Sequence, residues 1–375
     1  MASPFDICIR GGGIVGRTLA LHLAAKRLRV ALLAAPPSTT QGPDVRAYAL
    51  NTASRRLLDA VRCWPDETHA TPVTRMQVHG DDGAQVQFSA AQQDVAALNW
   101  IVDVPALERL LAEAVRFQPQ IEVVSEPVPA TLTVVCEGRY SATREEFGVA
   151  FDTAPYGQHA LATRVVSVLP HEQTARQWFG PEGEILAFLP LGGPQGKEYA
   201  IVWSVSPERC RELLALDDTA FCEALQNASH HEPGSLQLSG PRASWMLQHA
   251  LAQRWSGQRP NGAWVLAGDA AHNVHPLAGQ GLNLGLGDVA ELVQVLDTRP
   301  YWRSVGDPKL LRAYERARKA DFALVGGSGD GIQRLFTHPH PAAQALRNAG
   351  MQGFNSLTPI KKWVARRAMG LPTLP

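Results

Sequence analysis

FDICIRGGGIVGRTLALHLAAKRLRVALLA, residues 5–34, decides the fold. FDICI (5–9) is a short apolar run of the kind that forms a buried strand, and GGGIVG ends it in a turn. TLALHLAAKRL then places Leu19 and Leu23 on one helical face, and RVALLA (29–34) returns as a second apolar run. Strand, glycine turn, helix and strand make a βαβ unit, which predicts a parallel sheet because two parallel strands need a crossover between them. Inside the turn, Gly11, Gly13 and Gly16 are spaced GxGxxG. The first permits the tight turn, the second lets backbone approach a pyrophosphate, and the third lets helix and strand pack closely; the unpaired N–H groups at the helix start attract an anion. The expectation is a dinucleotide-binding turn, set against a glycine-rich turn that binds nothing.

Two residues depart from that pattern. An acid usually ends the second strand and takes a ribose hydroxyl, but that place falls near Ala34 in LLAAPP, where there is none. Arg10 holds the strand position just before the glycines, which is normally small or apolar. It either points outward to solvent or adds positive charge near the pyrophosphate.

Working outward, residues 73–88 read as a hairpin around Asp82 and Gly83, PALERLLAEAV (105–115) as a helix with Pro in its first turn, and TLTVVCEG (131–138) as another apolar strand. From about 155 to 258 the texture becomes β-rich, with ALATRVVSVL, EILAFLPL and YAIVWSV separated by Gly and Pro and one helical insert near 207–228. AWVLAGD (263–269) resumes the strand-then-glycine style, and 307–325 is a helix opened by Asp307 and Pro308. The fold class expected is α/β: a discontinuous Rossmann-like nucleotide-binding domain (1–72, 93–154 and 259–345), an inserted β-rich substrate domain (155–258, joined by the hairpin 73–92) and a C-terminal helical tail (346–375).

A chain of 375 residues with 45% hydrophobic and 19% charged side chains is that of a folded protein with room for about two domains. Its 35 basic and 35 acidic residues cancel, so nothing global invites nucleic acid. No acid follows Asp330, however, so the tail is locally positive. Five scattered cysteines without CxxC spacing predict neither a disulfide framework nor a zinc site, and a reducing cytoplasm is the expected compartment. Neither a secretory leader nor a run of about 20 apolar residues is expected from the pattern, leaving membrane contact peripheral. PIKKWVARRAM (359–369) offers one route, a basic amphipathic helix with Ile360, Trp363, Val364 and Ala368 in an apolar stripe; it serves equally as a cap on its own domain.

A second constellation lies far from the first: GDAAH (268–272) and then HPLAGQGLNLGLGD (275–288). The pattern HPxxGQGxNxGxxD is matched by His275, Pro276, Gly279, Gln280, Gly281, Asn283, Gly285 and Asp288, and the helix beyond repeats Leu282, Leu286, Val289, Leu292, Val293 and Leu296 at core-facing spacing. With these residues the chain resembles the group A FAD-dependent aromatic hydroxylases, and among them the hydroxylases of ubiquinone biosynthesis. EGRYSATR (137–144) is similar to the family's DGxxSxxR segment, with Glu137 where Asp is usual, and RAYAL (46–50) to its early R-x-x-A-L stretch. YGQHAL, LPHEQTARQWF, AFLPL and IVW resemble substrate-domain segments through Tyr156, Gln158, Pro170, His171 and Trp203; His171 and Trp203 are expected to be packing residues.

The resemblance implies FAD as cofactor, held by Gly11, Gly13, Gly16, Arg46, Glu137, Asp269, Gly279, Gly281 and Asn283, with Asp269 on the ribityl chain. Arg46 has a plain alternative as a surface ion pair. Glycines 279 and 281 would let backbone run beneath the flavin ring, and the following helix N-terminus would favour negative charge on it. The implied reaction uses O2, a flavin hydroperoxide and NAD(P)H or a reductase partner to hydroxylate a polyprenylated phenol, near the inner membrane if the apolar tail is drawn from it. No metal site is expected, and no catalytic base is nominated. The three departures at Arg10, Ala34 and Glu137 support a competing expectation, a non-catalytic flavoprotein acting as a lipid-binding or assembly subunit.

Overall fold

The opening βαβ unit forms as read. In the computed structural model, which describes residues 5–34, 44–80, 83–274, 280–337, 366 and 369–370, strand Phe5–Arg10 leads into helix Ile14–Ala25 and then strand Val30–Leu33. The six-stranded sheet built on it runs, from one edge, Ser256–Arg259, Gly262–Leu266, Ala130–Val135, Phe5–Arg10, Val30–Leu33 and Ile121–Val124. Five of its strands are mutually parallel, and Ser256–Arg259 pairs antiparallel at the edge. Ile7, Ile9, Val30, Leu132, Val134 and Val265 are wholly buried, as strands covered on both faces must be. Leu19 and Leu23, predicted to share a helical face, join the same core. Each such side chain contributes roughly 1.5–3 kcal/mol on leaving water.

The β-rich region forms a nine-stranded, mostly antiparallel sheet around the 17-residue strand Phe151–Ser167. Thr174–Phe179, Ile185–Leu191 and Glu198–Val205 pair in succession beside it, and Ala243–Ala252 pairs on its other side. The hairpin Arg75–His79 and Gln85–Ser89 joins through a parallel pairing of its first strand with Thr174–Phe179. The expected turn residue Asp82 lies outside the described residues. Alternation gives this sheet two unlike faces. Leu161, Trp178, Phe188, Tyr199, Ile201 and Trp203 pack under helices Pro207–Ala215 and Asp218–Ala228, each capped by a side chain (Ser206 and Asp217) that accepts from a backbone N–H. Ala162, Ala175, Gln177, Ala187, Ala200 and Val202 point the other way, into a cavity.

Two elements differ from the sequence reading. A third sheet, Ala47–Leu50, Asn99–Asp103 and Ala70–Val73, was not foreseen as strands; four- and five-residue segments are too short to display a period. The helix expected over 307–325 runs from Pro308 to Thr337. Glycine lowers helix propensity by about 1 kcal/mol yet, unlike proline, keeps its N–H, so an established helix propagates through Gly326, Gly327, Gly329 and Gly331. The tail expectation over 346–375 lies outside the described residues apart from Arg366, Met369 and Gly370.

Candidate functional site

Three neighbouring parallel strands end at one level: Arg10 is opposite Val135, and Val135 is opposite Leu266. Their following turns, Gly11–Gly16, Cys136–Gly138 and Ala267–Asp269, therefore converge at the carboxyl edge of the sheet, where open α/β sheets bind ligands. Gly11 takes φ +124°, and a Cβ there would lie 2.3 Å from the carbonyl oxygen of Cys136. A Cβ on Gly16 would lie 1.9 Å from the carbonyl oxygen of Gly11. These two glycines lock the turns together and do not line the cavity. Gly13 differs, since nothing lies within 4 Å of its Cβ position and it opens on the cavity.

Along helix Gln280–Asp297 the glycines also differ in the space in front of them, although Gly285 borders the cavity as Gly281 does. Gly281 faces open space on the cavity, whereas a Cβ on Gly285 would press on Val15 at 2.9 Å and one on Gly287 on Arg318 at 3.0 Å. Gly279 lies outside the described residues. Asn283 also borders the cavity, but its side chain ties elements together: Oδ1 accepts from the Asn51 N–H (3.0 Å) and the Ser54 hydroxyl (2.7 Å), and Nδ2 donates to the Ala49 carbonyl (2.8 Å).

Behind the helix start is a buried charge network that the sequence pattern gave no role. Asp288, with no exposure, accepts from the Gly268 N–H (2.7 Å) and from His272 Nε2 (2.7 Å) through one oxygen and from Arg318 Nε (2.7 Å) through the other. Burial alone would raise its carboxyl, but His272 and Arg318 outweigh it and hold the group below the ordinary range. Arg318 also donates to the Leu284 carbonyl at 3.2 Å. The network thus binds the Gly268–Asp269 turn to the helix that faces it. Arg144, from the EGRYSATR segment, adds a second tie by donating to the Ala270 carbonyl at 3.2 Å.

Gly13, Arg46, Asp269, Gly281 and Asn283 are brought together around one cavity of about 460 Å³. Asp269 is exposed to it, and desolvation by the surrounding protein raises its carboxyl above the ordinary value despite the opposing charges of His272 and Arg139. Arg46 is gripped by Asp44 (2.6 Å) with Glu108 at 3.6 Å, which raises its already high pKa. It is both an ion-pair residue and a cavity residue. Tyr48 beside it is half-buried, and that burial pushes its phenol up. Tyr48, Arg139 and Asn273 were not foreseen as cavity residues; short loops and strands carry no periodic signal that would single them out.

The three departures are absorbed locally. The Arg10 guanidinium pairs with Glu146 (2.8 Å) and donates to the Thr143 hydroxyl (3.1 Å), so it points neither to open solvent nor along the glycine turn. Ala34 lies against Gly12, whose Cβ would meet it at 2.5 Å. Glu137 does not line the cavity; it accepts from the Ser141 hydroxyl (2.7 Å), the Thr143 N–H (3.0 Å) and the Thr143 hydroxyl (2.7 Å) at the start of helix Ala142–Glu146. His171 and Trp203 are buried packing residues: His171 Nε2 contacts the Leu191 carbonyl (2.9 Å), and Trp203 donates to Glu184 (3.1 Å).

Comparison with known proteins agrees with this architecture. Residues 115–325 match the family described as FAD binding domain. Ubiquinone hydroxylase UbiL of Rhodospirillum rubrum is 31% identical over 97% of this chain and 89% of its own length. The 3-demethoxyubiquinol 3-hydroxylase of Escherichia coli is 28% identical over 98% and 99%. Among solved structures, p-nitrophenol 4-monooxygenase PnpA from Pseudomonas putida shares the fold across 100% of both chains, with a TM-score of 0.75 at 18% identity. Sequence match, fold and the converging glycine turns lead to one conclusion: the chain belongs to the group A FAD-dependent aromatic hydroxylases, related to the hydroxylases of ubiquinone biosynthesis, and is an FAD-dependent oxidoreductase.

Proposed function

We propose that this protein hydroxylates the aromatic ring of a polyprenylated phenol, with O2 as oxidant and NAD(P)H or a reductase partner as electron donor. The observation that carries the reading is the single cavity bordered at once by the glycine cradle and by the alanine-rich face of the antiparallel sheet. The cradle fits FAD: Gly13 and Gly281 leave open space where a Cβ would stand, and the buried Oδ1 of Asn273, beside Asp269, has no hydrogen-bond partner among the described residues. In this proposal the Gly11–Gly16 turn and its helix take the pyrophosphate, Asp269 the ribityl chain, and Gly279, Gly281 and Asn283 the ring side. Arg46 supplies charge at the cavity wall, and Glu137 acts through the turn it braces.

The chemistry that bound FAD supplies is reductive activation of O2 and transfer of one oxygen atom to the ring. The protein's part is position and dryness. The amides at the start of helix Gln280–Asp297 favour negative charge in front of them. Ala162, Ala175, Ala187 and Ala200 leave room for a planar ring while excluding water from its surface. Tyr48, its phenol pushed up by burial, stays protonated at neutral pH and can donate a hydrogen bond.

No helix among the described residues is long and apolar enough to cross a membrane. Peripheral contact through the basic segment 359–369 is part of the proposal. Loss of binding to anionic vesicles in a Lys361→Gln, Lys362→Gln, Arg367→Gln variant supports it, and unchanged binding removes it. The function itself is tested by incubating flavin-loaded protein with NAD(P)H, O2 and a prenylated phenol in detergent. Product carrying one added oxygen atom from O2 is expected. Protein that takes up no FAD, or that forms no such product even with a competent reductase present, overturns the reading.

A further inference from the structure

The antiparallel-sheet wall of the cavity is mostly apolar, and Gln177 is among its few polar side chains, with Ser204 and Gln248. Across the antiparallel sheet a single row reads Ala162, Val202, Ala187, Gln177, each residue registered opposite the next. The row behind it contains Ala200, opposite Leu189, and Ala175 lies two residues before Gln177 on its strand. Gln177 is only 8% exposed and borders the cavity, and its side-chain amide makes no hydrogen bond among the described residues. Two other buried amides are engaged: Gln158 donates to the Gly183 carbonyl at 2.9 Å, and Asn283 bridges Asn51, Ser54 and Ala49. The amide opens on the cavity and is free to take a partner there. A leucine of similar size would fill the same place without offering one.

We propose that Gln177 is a specificity-determining residue, whose amide receives the ring hydroxyl of the substrate. This rests on the reading of the protein as a phenol hydroxylase. A carboxamide offers both an acceptor oxygen and donor N–H groups, so it matches a phenol, which donates one proton and accepts at its oxygen. A ring held through its hydroxyl presents a fixed edge to the opposite, glycine-built wall. Gln177 therefore selects phenols over rings without a free hydroxyl and restricts which carbon is offered.

The test uses the FAD-loaded full chain and two probes, 2-prenylphenol and its O-methyl ether, titrated by perturbation of the flavin absorbance. Wild-type protein is expected to bind the phenol about tenfold or more tightly than the ether, the discrimination that one ligand hydroxyl in a buried site provides. Gln177→Leu should erase that preference by weakening phenol binding alone, with Gln177→Asn intermediate. Its unfolding midpoint should be unchanged or higher, since the side chain gives up no hydrogen bond among the described residues. Equal weakening for both probes, no change for either, or a fall in stability with discrimination intact overturns the assignment while leaving phenol hydroxylation standing. Wild-type protein that binds neither probe removes the phenol reading itself, and the assignment falls with it.

Discussion

The two walls of the cavity are built by opposite means. The parallel-sheet wall is backbone: Gly11 and Gly16 bring turns into direct contact, while Gly13 and Gly281 leave space in front of peptide groups. The antiparallel wall is side chain: small apolar residues alternate with core residues along strands, and Gln177 interrupts their row. A wall made of backbone tolerates no added atom at its closest approaches, whereas a wall made of alanines keeps its fold when a side chain changes and alters only what fits. Substitutions on the first should therefore be read in stability and cofactor content, and on the second in substrate.

The largest effect is expected at Gly16. Gly16→Ala would set a Cβ 1.9 Å from a carbonyl oxygen, with no flexible side chain there to yield. Destabilisation of about 3 kcal/mol or more and loss of flavin should appear together in denaturant titrations and absorbance spectra. Gly13→Ala, with open space ahead of it, should keep stability within about 1 kcal/mol while weakening FAD binding. If both variants behaved alike, the division of the turn into packing and ligand-facing glycines would be wrong.

Next is Asp288, which joins the two halves of the backbone wall. Removing its charge takes from Arg318 its buried partner and leaves it only the exposed Asp321, and Asp288→Ala should cost about 3–5 kcal/mol by chemical denaturation. Because its carboxyl is held below the ordinary value in the folded protein, the stabilisation is fully present above the unfolded pKa, near 3.8, and is lost as pH falls further through the folded one. A stability profile of wild type and Asp288→Asn from pH 6 downward should converge at the acid end. Parallel profiles would show that the ionised network contributes nothing.

On the other wall, Ala187→Leu should retain FAD and fold but exclude the ring, lowering kcat/KM about 100-fold, measured with a prenylated phenol. That corresponds to about 2.7 kcal/mol of lost transition-state stabilisation. Unaltered turnover would remove this face from the substrate site. The smallest effect is expected at Glu137, where Glu137→Asp shortens a side chain that accepts three hydrogen bonds at a helix start. A change of about 1 kcal/mol or less in thermal stability, with FAD retained, would show that the longer acid is a local accommodation.

The contrast between the walls also explains how far the sequence could be read. Gly11, Gly13 and Gly16, GDAAH and the run to Asp288 were legible because a close backbone approach permits few residues, so the requirement appears as a fixed spacing. The helices with Leu19 and Leu23, and with Leu286, Val289, Leu292 and Leu296, were legible because one face must meet the core at a period of about 3.6. Gln177 was not, although it lies in a segment resembling the family: nothing local distinguishes an amide facing solvent from one facing a cavity.

What the sequence by itself determined is therefore the βαβ opening, the α/β class with its β-rich region, and the turns able to hold a dinucleotide, all set by short-range sterics and periodicity. Only tertiary structure decided which glycines pack and which face a ligand. It also placed Arg10 against Glu146, buried Asp288 between His272 and Arg318, and set the Ala162–Gln177 row on the same cavity as Gly13 and Gly281. Those outcomes depend on strands distant in sequence coming into register, and register is fixed by burial across the whole sheet.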